Sequence, residues 1–119
     1  MKRPSPTLDE LRDALRRFAD ARDWRQFHTP KNLAMTLAVE AAELLEHFQW
    51  LTAAQSERLD ARAKRAVGEE IADVLLYLTR LADVLGIDPL EAARRKMRVN
   101  ARKYPVARSR GSARKYNAR

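Results

Sequence analysis

Two pairs of carboxylates, each spaced three residues apart, are the side chains in this sequence best suited to chemistry. Glu40 and Glu43 form the first pair, and Glu70 and Asp73 form the second. A helix turns about 100° per residue, so each pair lies on one side of its helix. Charges crowded beside an apolar interface are costly, so the four carboxylates must either bind protons or share a divalent cation. Oxygen ligands alone favour Mg²⁺, with Mn²⁺ as a substitute.

Apolar stripes beside both pairs predict that the two helices pack against each other. Measured from Glu40 or from Glu70, five apolar residues of each helix lie between about 20° and 80° around the axis. Packing these stripes together would bring all four carboxylates into one cluster. The stripes are Leu33, Leu37, Leu44, Phe48 and Leu51 in the first helix and Val67, Val74, Leu78, Leu81 and Leu85 in the second. Acidic residues at about 220–260°, away from the stripes, are expected in solvent or in surface ion pairs: Glu46, Glu69 and Asp83.

The ligand types narrow the chemistry of such a site. A carboxylate-bridged di-iron bundle uses Glu-x-x-His pairs, whereas the partners at i+3 here are Glu43 and Asp73. The pattern therefore favours a redox-inert ion and hydrolytic or phosphoryl chemistry. Lys96 and Asn100, four residues apart on one helix face, would suit phosphate oxygens, or would be a surface lysine and amide. Tyr77 lies among the carboxylates and would either reach a phosphate or pack.

Aromatic residues flank the first acidic helix. Trp24 precedes it and Trp50 lies at its predicted end, so the two rings would either stack on a nucleobase or anchor the core or a subunit interface. His28 would contact a base or a phosphate, or form a hydrogen bond within its loop.

The helices that position these residues have recognisable ends. Thr7 with Glu10 and Thr52 with Gln55 are spaced as capping boxes, and Thr29 precedes a proline at a first helical position. Gly86 is a C-cap glycine, and no segment alternates as a strand. We therefore predict an all-α bundle of four main helices and a short connector helix, completed by oligomerisation. The predicted helices span residues 8–22, 30–50, 53–65 (the connector), 63–85 and 89–103.

Composition restricts the class of protein. A chain of 119 residues with 45% hydrophobic residues suggests one domain with a modest core. The chain has no cysteine, no apolar run near the roughly 18 residues of a membrane span, and no secretory signal at its start, so we expect a cytoplasmic protein. We predict an extension at residues 1–7, a domain at residues 8–105 and a basic, disordered tail at residues 106–119.

The tail carries much of the positive charge. Of the net charge of +8, +5 follows Pro105, in a segment that would contact nucleic acid or remain a solvated end. A non-enzymatic helical module that binds nucleic acid is therefore the alternative function, and a purely structural dimerising bundle is a second one. The basic residues of that module would include the cluster Arg94, Arg95, Arg98 and Arg102. Neither alternative explains two carboxylate pairs beside apolar stripes.

Four segments in order resemble one protein family. They are DWRQFHTPKNL at residues 23–33, EAAELLEHFQW at 40–50, EEIADVLLYL at 69–78 and KMRVNARKYP at 96–105. They are similar to the motifs of MazG-like nucleoside triphosphate pyrophosphohydrolases, and most similar to the small dCTP pyrophosphatase branch.

The resemblance implies hydrolysis of a nucleoside triphosphate between its α- and β-phosphates, which suits removal of unwanted nucleotides from the pool. The substrate would be dCTP or a related or modified pyrimidine nucleotide, and the protein would be a homodimer or homotetramer. It implies Mg²⁺ ligands Glu40, Glu43, Glu70 and Asp73, phosphate contacts from Tyr77, Lys96 and Asn100, and a nucleoside pocket of Trp24, His28, Asn32 and Trp50. Glu43 is our candidate general base, because it lies further from the apolar stripe than Glu40 and closer to water.

Overall fold

The computed structural model describes residues 4–118, which form helices and no strand. The predicted all-α class, with four main helices and a short connector, is confirmed. The α-helices are α1 (Leu8–Ala21), α2 (Pro30–Glu46), α3 (Ala53–Ser56), α4 (Ala61–Val84), α5 (Pro89–Lys103) and α6 (Val106–Ser109), with 3₁₀ turns at Arg25–Phe27 and Tyr116–Ala118. None of these helices has the length and hydropathy to cross a membrane. Residues 1–3 of the predicted extension lie outside the described residues.

Polar side chains fix the helix starts where the sequence predicted them. The Oγ1 atoms of Thr7 and Thr29 each accept a hydrogen bond at 3.1 Å from the backbone N–H three residues further on. Thr52 and Gln55 cap each other reciprocally at the start of α3. After α4, Gly86 has a φ of 68°, a left-handed conformation that glycine adopts without steric cost.

Two helix boundaries differ from the prediction. α2 ends at Glu46 rather than near residue 50, because the amides of His47 and Phe48 donate to carbonyls three residues back and tighten the chain into turns. The connector α3 has only four residues. It ends early because Asp60 begins α4, its Oδ1 accepting from the N–H of Ala63 at 2.8 Å.

The residues up to Gly86 form one compact unit, in which both α1 and α2 pack on α4. Its core is small. The buried apolar side chains among the described residues are Ala19, Leu33, Val67 and Ala82. Leu33 and Val67 belong to the two predicted stripes, whereas large side chains elsewhere on α2 and α4 stay more than half exposed: Met35, Val39, Leu45 and Ile71.

The residues from Ile87 onward form a second unit. Sequence analysis predicted a disordered tail after Pro105, but the described part of that segment contains α6 and a 3₁₀ turn. The ring of Tyr116 meets that of Tyr104 edge to face at 5.9 Å, and the Nζ of Lys103 lies 4.9 Å from the centre of the Tyr116 ring. Composition alone could not reveal these local contacts. The domain boundaries remain a prediction.

The cap of α4 gives a test of the fold. Asp60→Ala should lower the free energy of unfolding by about 1 kcal/mol, because the N–H of Ala63 loses its acceptor. Asp60→Ser keeps a hydrogen-bond acceptor at this position, so it should lower the free energy of unfolding by only a small fraction of that amount. Urea unfolding measures both, and equal stability of the alanine variant and the unchanged protein would contradict the cap.

Candidate functional site

Three of the four predicted ligand carboxylates meet where α2 packs on α4. Glu40 and Glu43 of α2 and Glu70 of α4 each place one carboxylate oxygen within 4.8 Å of the others, and all three side chains are half-buried. Asp73 does not belong to this group of three, but it is near enough for its charge to raise the pKa of Glu40 and of Glu70. Helix packing therefore brings Glu70 to the pair Glu40 and Glu43, as the spacing predicted, whereas Asp73 acts on them only through its charge. We call these four residues the carboxylate cluster.

The carboxylate cluster holds more negative charge than its surroundings offset. Burial raises the pKa of Glu40, and a hydrogen bond and the charge of Glu43 raise it further. Burial also raises the pKa of Glu70, followed by the charges of Glu43 and Asp73. His47 opposes this only weakly, since its Nε2 lies 3.9 Å from Oε1 of Glu70, beyond hydrogen-bonding distance.

Two oxygen atoms of the carboxylate cluster are orphaned. The Oε2 atoms of Glu40 and Glu70 are buried and have no hydrogen-bond partner among the described residues. Buried acceptors without donors are rare in folded proteins and usually indicate a missing ligand, ion or water. The three atoms grouped closely enough to bind one ion are carboxylate oxygens of Glu40, Glu43 and Glu70, so the cluster fits a hard divalent cation.

An aromatic cavity of about 150 Å³ lies between α1, the segment after it, and α4. The segment after α1 turns at Asp23, whose φ of 52° is left-handed, a conformation that aspartate tolerates better than most residues. This turn lets the N–H of Trp24 donate to the carbonyl of Ala19 at 2.9 Å. The Trp24 ring packs edge to face against the rings of Phe18 and His28, with distances between ring centres of 5.7 Å and 6.3 Å.

The wall of the aromatic cavity is apolar except on one side. Its apolar and aromatic lining is Leu15, Phe18, Trp24, Leu76 and Tyr77. Its polar lining is His28, Asp73 and Arg80. Because Asp73 belongs to both places, the aromatic cavity adjoins the carboxylate cluster. This is the arrangement that a nucleotide needs, with a base in an apolar slot and phosphates beside the cation site.

Arg80 is the residue that sequence analysis missed. It is 5% exposed, and its Nε donates to Nδ1 of His28 at 3.1 Å while its Nη1 donates to Asp83 at 3.2 Å. Arg16 of α1 also binds Asp83, with its Nε 3.1 Å from Oδ2, and this contact is the main cause that lowers the pKa of Asp83. The available signal was one arginine inside an apolar run, three residues after Tyr77 on the same helix face.

The structure gives the other predicted site residues no place in the lining of the aromatic cavity. The amide of Asn32 donates to the carbonyl of Phe27 at 3.1 Å and so ties the 3₁₀ turn to the start of α2. Trp50 is 87% exposed in the turns after α2, and neither it nor Asn32 lines the cavity. Lys96 and Asn100 are exposed on α5, in the second unit. Their predicted contacts with phosphates remain predictions.

The chain is similar to known proteins over most of its length. The profile of the MazG-like family matches residues 35–118 and so extends into the basic segment after Pro105. The dCTP pyrophosphatase 1 of Rattus norvegicus is 44% identical over 115 residues, which cover 95% of this chain and 68% of that protein. The dCTP pyrophosphatase 1 of Homo sapiens is 43% identical with the same coverage. The crystal structure of a pyrophosphatase from Archaeoglobus fulgidus superposes with a TM-score of 0.79 at 49% identity, covering 88% of this chain and 98% of that one.

The raised pKa values predict how stability depends on pH without divalent cations. A carboxyl group with a raised pKa in the folded state contributes stability that is complete below its ordinary pKa of 4.5 and is lost as the pH rises through the raised value. In EDTA, Glu40→Gln should therefore melt at a higher temperature than the unchanged protein at pH 8, with the difference vanishing below pH of about 4.

The exposed carboxylate of Glu46 on the same helix provides the control, because Glu46→Gln should leave the pH dependence unchanged. Mg²⁺ should raise the melting temperature of the unchanged protein more than that of Glu40→Gln. Identical pH dependence of Glu40→Gln and the unchanged protein would contradict the crowding of charge described above.

Proposed function

This chain belongs to the MazG-like family and is a nucleoside triphosphate pyrophosphohydrolase, and we propose that it hydrolyses dCTP or a related or modified pyrimidine nucleotide to the monophosphate and pyrophosphate. The resemblance inferred from the four sequence segments is thereby confirmed at the level of the family. One observation supports the site most strongly: buried, orphaned carboxylate oxygens lie next to an aromatic cavity. Removal of unwanted nucleotides from the pool is the proposed physiological role.

Glu40, Glu43, Glu70 and Asp73 are the proposed ligands of Mg²⁺, with Mn²⁺ as a substitute. When bound, the cation supplies positive charge against the triphosphate oxygens and so favours in-line displacement. Glu43 interacts with both Glu40 and Glu70, because its charge and a hydrogen bond raise the pKa of each. We assign it the role of base, accepting a proton from the water that attacks the α-phosphorus while pyrophosphate leaves.

The aromatic cavity is the proposed base site. Trp24 and Tyr77 provide rings for stacking, and His28 provides a polar contact. Asn32 and Trp50 are proposed to complete the nucleoside site, and Lys96 and Asn100 to bind phosphate oxygens. A homodimer or homotetramer is proposed because large apolar side chains on α2 and α4 are exposed.

The alternative of a non-enzymatic module that binds nucleic acid is not favoured. The relatives named above are pyrophosphatases, and a basic tail accounts for neither the carboxylate cluster nor the aromatic cavity.

Release of pyrophosphate from a panel of canonical and modified nucleotides with Mg²⁺ tests the reaction and the base preference together. We expect pyrophosphate and monophosphate in equal amounts, with the highest kcat/KM for dCTP or a modified cytidine nucleotide, and no activity in EDTA. Release of orthophosphate instead, or no hydrolysis of any nucleotide, would refute the proposal.

Glu43→Gln and Glu70→Gln separate the base from a ligand. Glu43→Gln should lower kcat by about a hundredfold or more and weaken Mg²⁺ binding less than Glu70→Gln does, because a general base acts mainly on the chemical step. Glu70→Gln should instead weaken Mg²⁺ binding, measured by calorimetry. Glu46→Gln serves as the exposed control. Loss of Mg²⁺ binding in Glu43→Gln would make Glu43 a ligand first and remove it as the base.

A further inference from the structure

One buried arginine determines the hydrogen-bonding character of the polar wall of the aromatic cavity. The Nε of Arg80 lies 3.1 Å from Nδ1 of His28, and the two side chains line the cavity together. A guanidinium group is always protonated, carries only donors and cannot accept a hydrogen bond. Nδ1 of His28 must therefore offer its lone pair. A neutral imidazole with a lone pair on Nδ1 carries its proton on Nε2.

The orientation of Arg80 is itself fixed by neighbours on two helices. Oδ2 of Asp83 accepts from Nη1 of Arg80 at 3.2 Å and from Nε of Arg16 at 3.1 Å, so the carboxylate joins α1 to α4. The Asp83 side chain is only 10% exposed and that of Arg80 only 6%, which shields this link from solvent. Burial and the charge of Arg80 both lower the pKa of His28, which favours the neutral ring.

We propose that Arg80 is a positioning residue that holds His28 as an Nε2–H donor, and that the resulting donor-only pair selects bases with an acceptor at the ring nitrogen. This inference rests on the proposed function, because it assumes that the aromatic cavity holds the base. Cytosine presents acceptors at N3 and O2. In thymine and uracil N3 carries a hydrogen, so the same edge would face a donor with another donor. A site built to pair with one such group rejects a base that leaves it unpaired.

Removing the guanidinium should relax this selection. In Arg80→Met, Nδ1 of His28 no longer has a fixed donor, and the ring can place its proton on either nitrogen and accept from N3–H. We expect the ratio of kcat/KM for dCTP over dTTP to fall at least about tenfold, the effect of one unpaired buried group. Arg25→Met is the matched control, because Arg25 is exposed and lines a neighbouring cavity but not the aromatic one. It should leave the ratio unchanged.

The tautomer can be measured without any assay of activity. In the unchanged protein labelled with ¹⁵N-histidine, nitrogen chemical shifts should show a protonated Nε2 and an unprotonated Nδ1 for His28. His28→Gln identifies the signal among the two histidines of the chain. In Arg80→Met the two nitrogens should shift toward a mixture of tautomers, a change that mere loss of packing would not produce.

The outcomes separate this inference from the proposed function. A proton on Nδ1 of His28 in the unchanged protein would overturn the inference, as would an unchanged dCTP-to-dTTP ratio in active Arg80→Met. If Arg80→Met does not fold, the spectrum of the unchanged protein still decides the tautomer. An Nε2–H tautomer in a protein that hydrolyses none of the nucleotides would support the positioning by Arg80 and overturn the proposed function.

Discussion

Negative charge collects where α2 packs on α4, and the side chains there cannot neutralise it. One oxygen from each of three carboxylates lies within 4.8 Å of the others, and two oxygens of this group are buried with no donor among residues 4–118. The helix pairing that buries Leu33 and Val67 also creates this crowding, so the fold and the site have one origin. The raised pKa values of Glu40 and Glu70 express the cost of this arrangement in the absence of a cation.

The neighbouring aromatic cavity is lined by the same helix, α4, that contributes Glu70 and Asp73 to the carboxylate cluster. α4 presents Asp73 toward the carboxylate cluster and Arg80, seven residues later, toward His28, with Tyr77 between them. Residues at such spacing share a helix face, so one face of α4 runs from an anionic region to a cationic one. A nucleotide would fit this face in one direction. Its phosphates would lie at the anionic end, where a cation would bind, and its base would lie in the aromatic cavity near Arg80, where it finds hydrogen bonds and stacking.

Helical periodicity was sufficient to predict that Glu40, Glu43 and Glu70 meet, because the spacing within each pair and the position of each stripe are local properties. It could not predict the bond between Arg80 and His28, which joins residues 52 positions apart through particular side-chain conformers. The end of α2 was also missed, since residues 47–50 contain no glycine or proline to signal the turn. The role of Asp83 was misread in part: it does form ion pairs, but with little exposure.

In the proposed oligomer, the sparse interior of the first unit would make folding depend on the protein concentration. With only a few buried apolar side chains in the described part of the chain, a single copy gains little from the hydrophobic effect. A second copy that covers Val39, Leu45 and Ile71 would add its association energy directly to the stability of the native state. By mass action, dilution would then lower the melting temperature and inactivate the protein without any change of solvent.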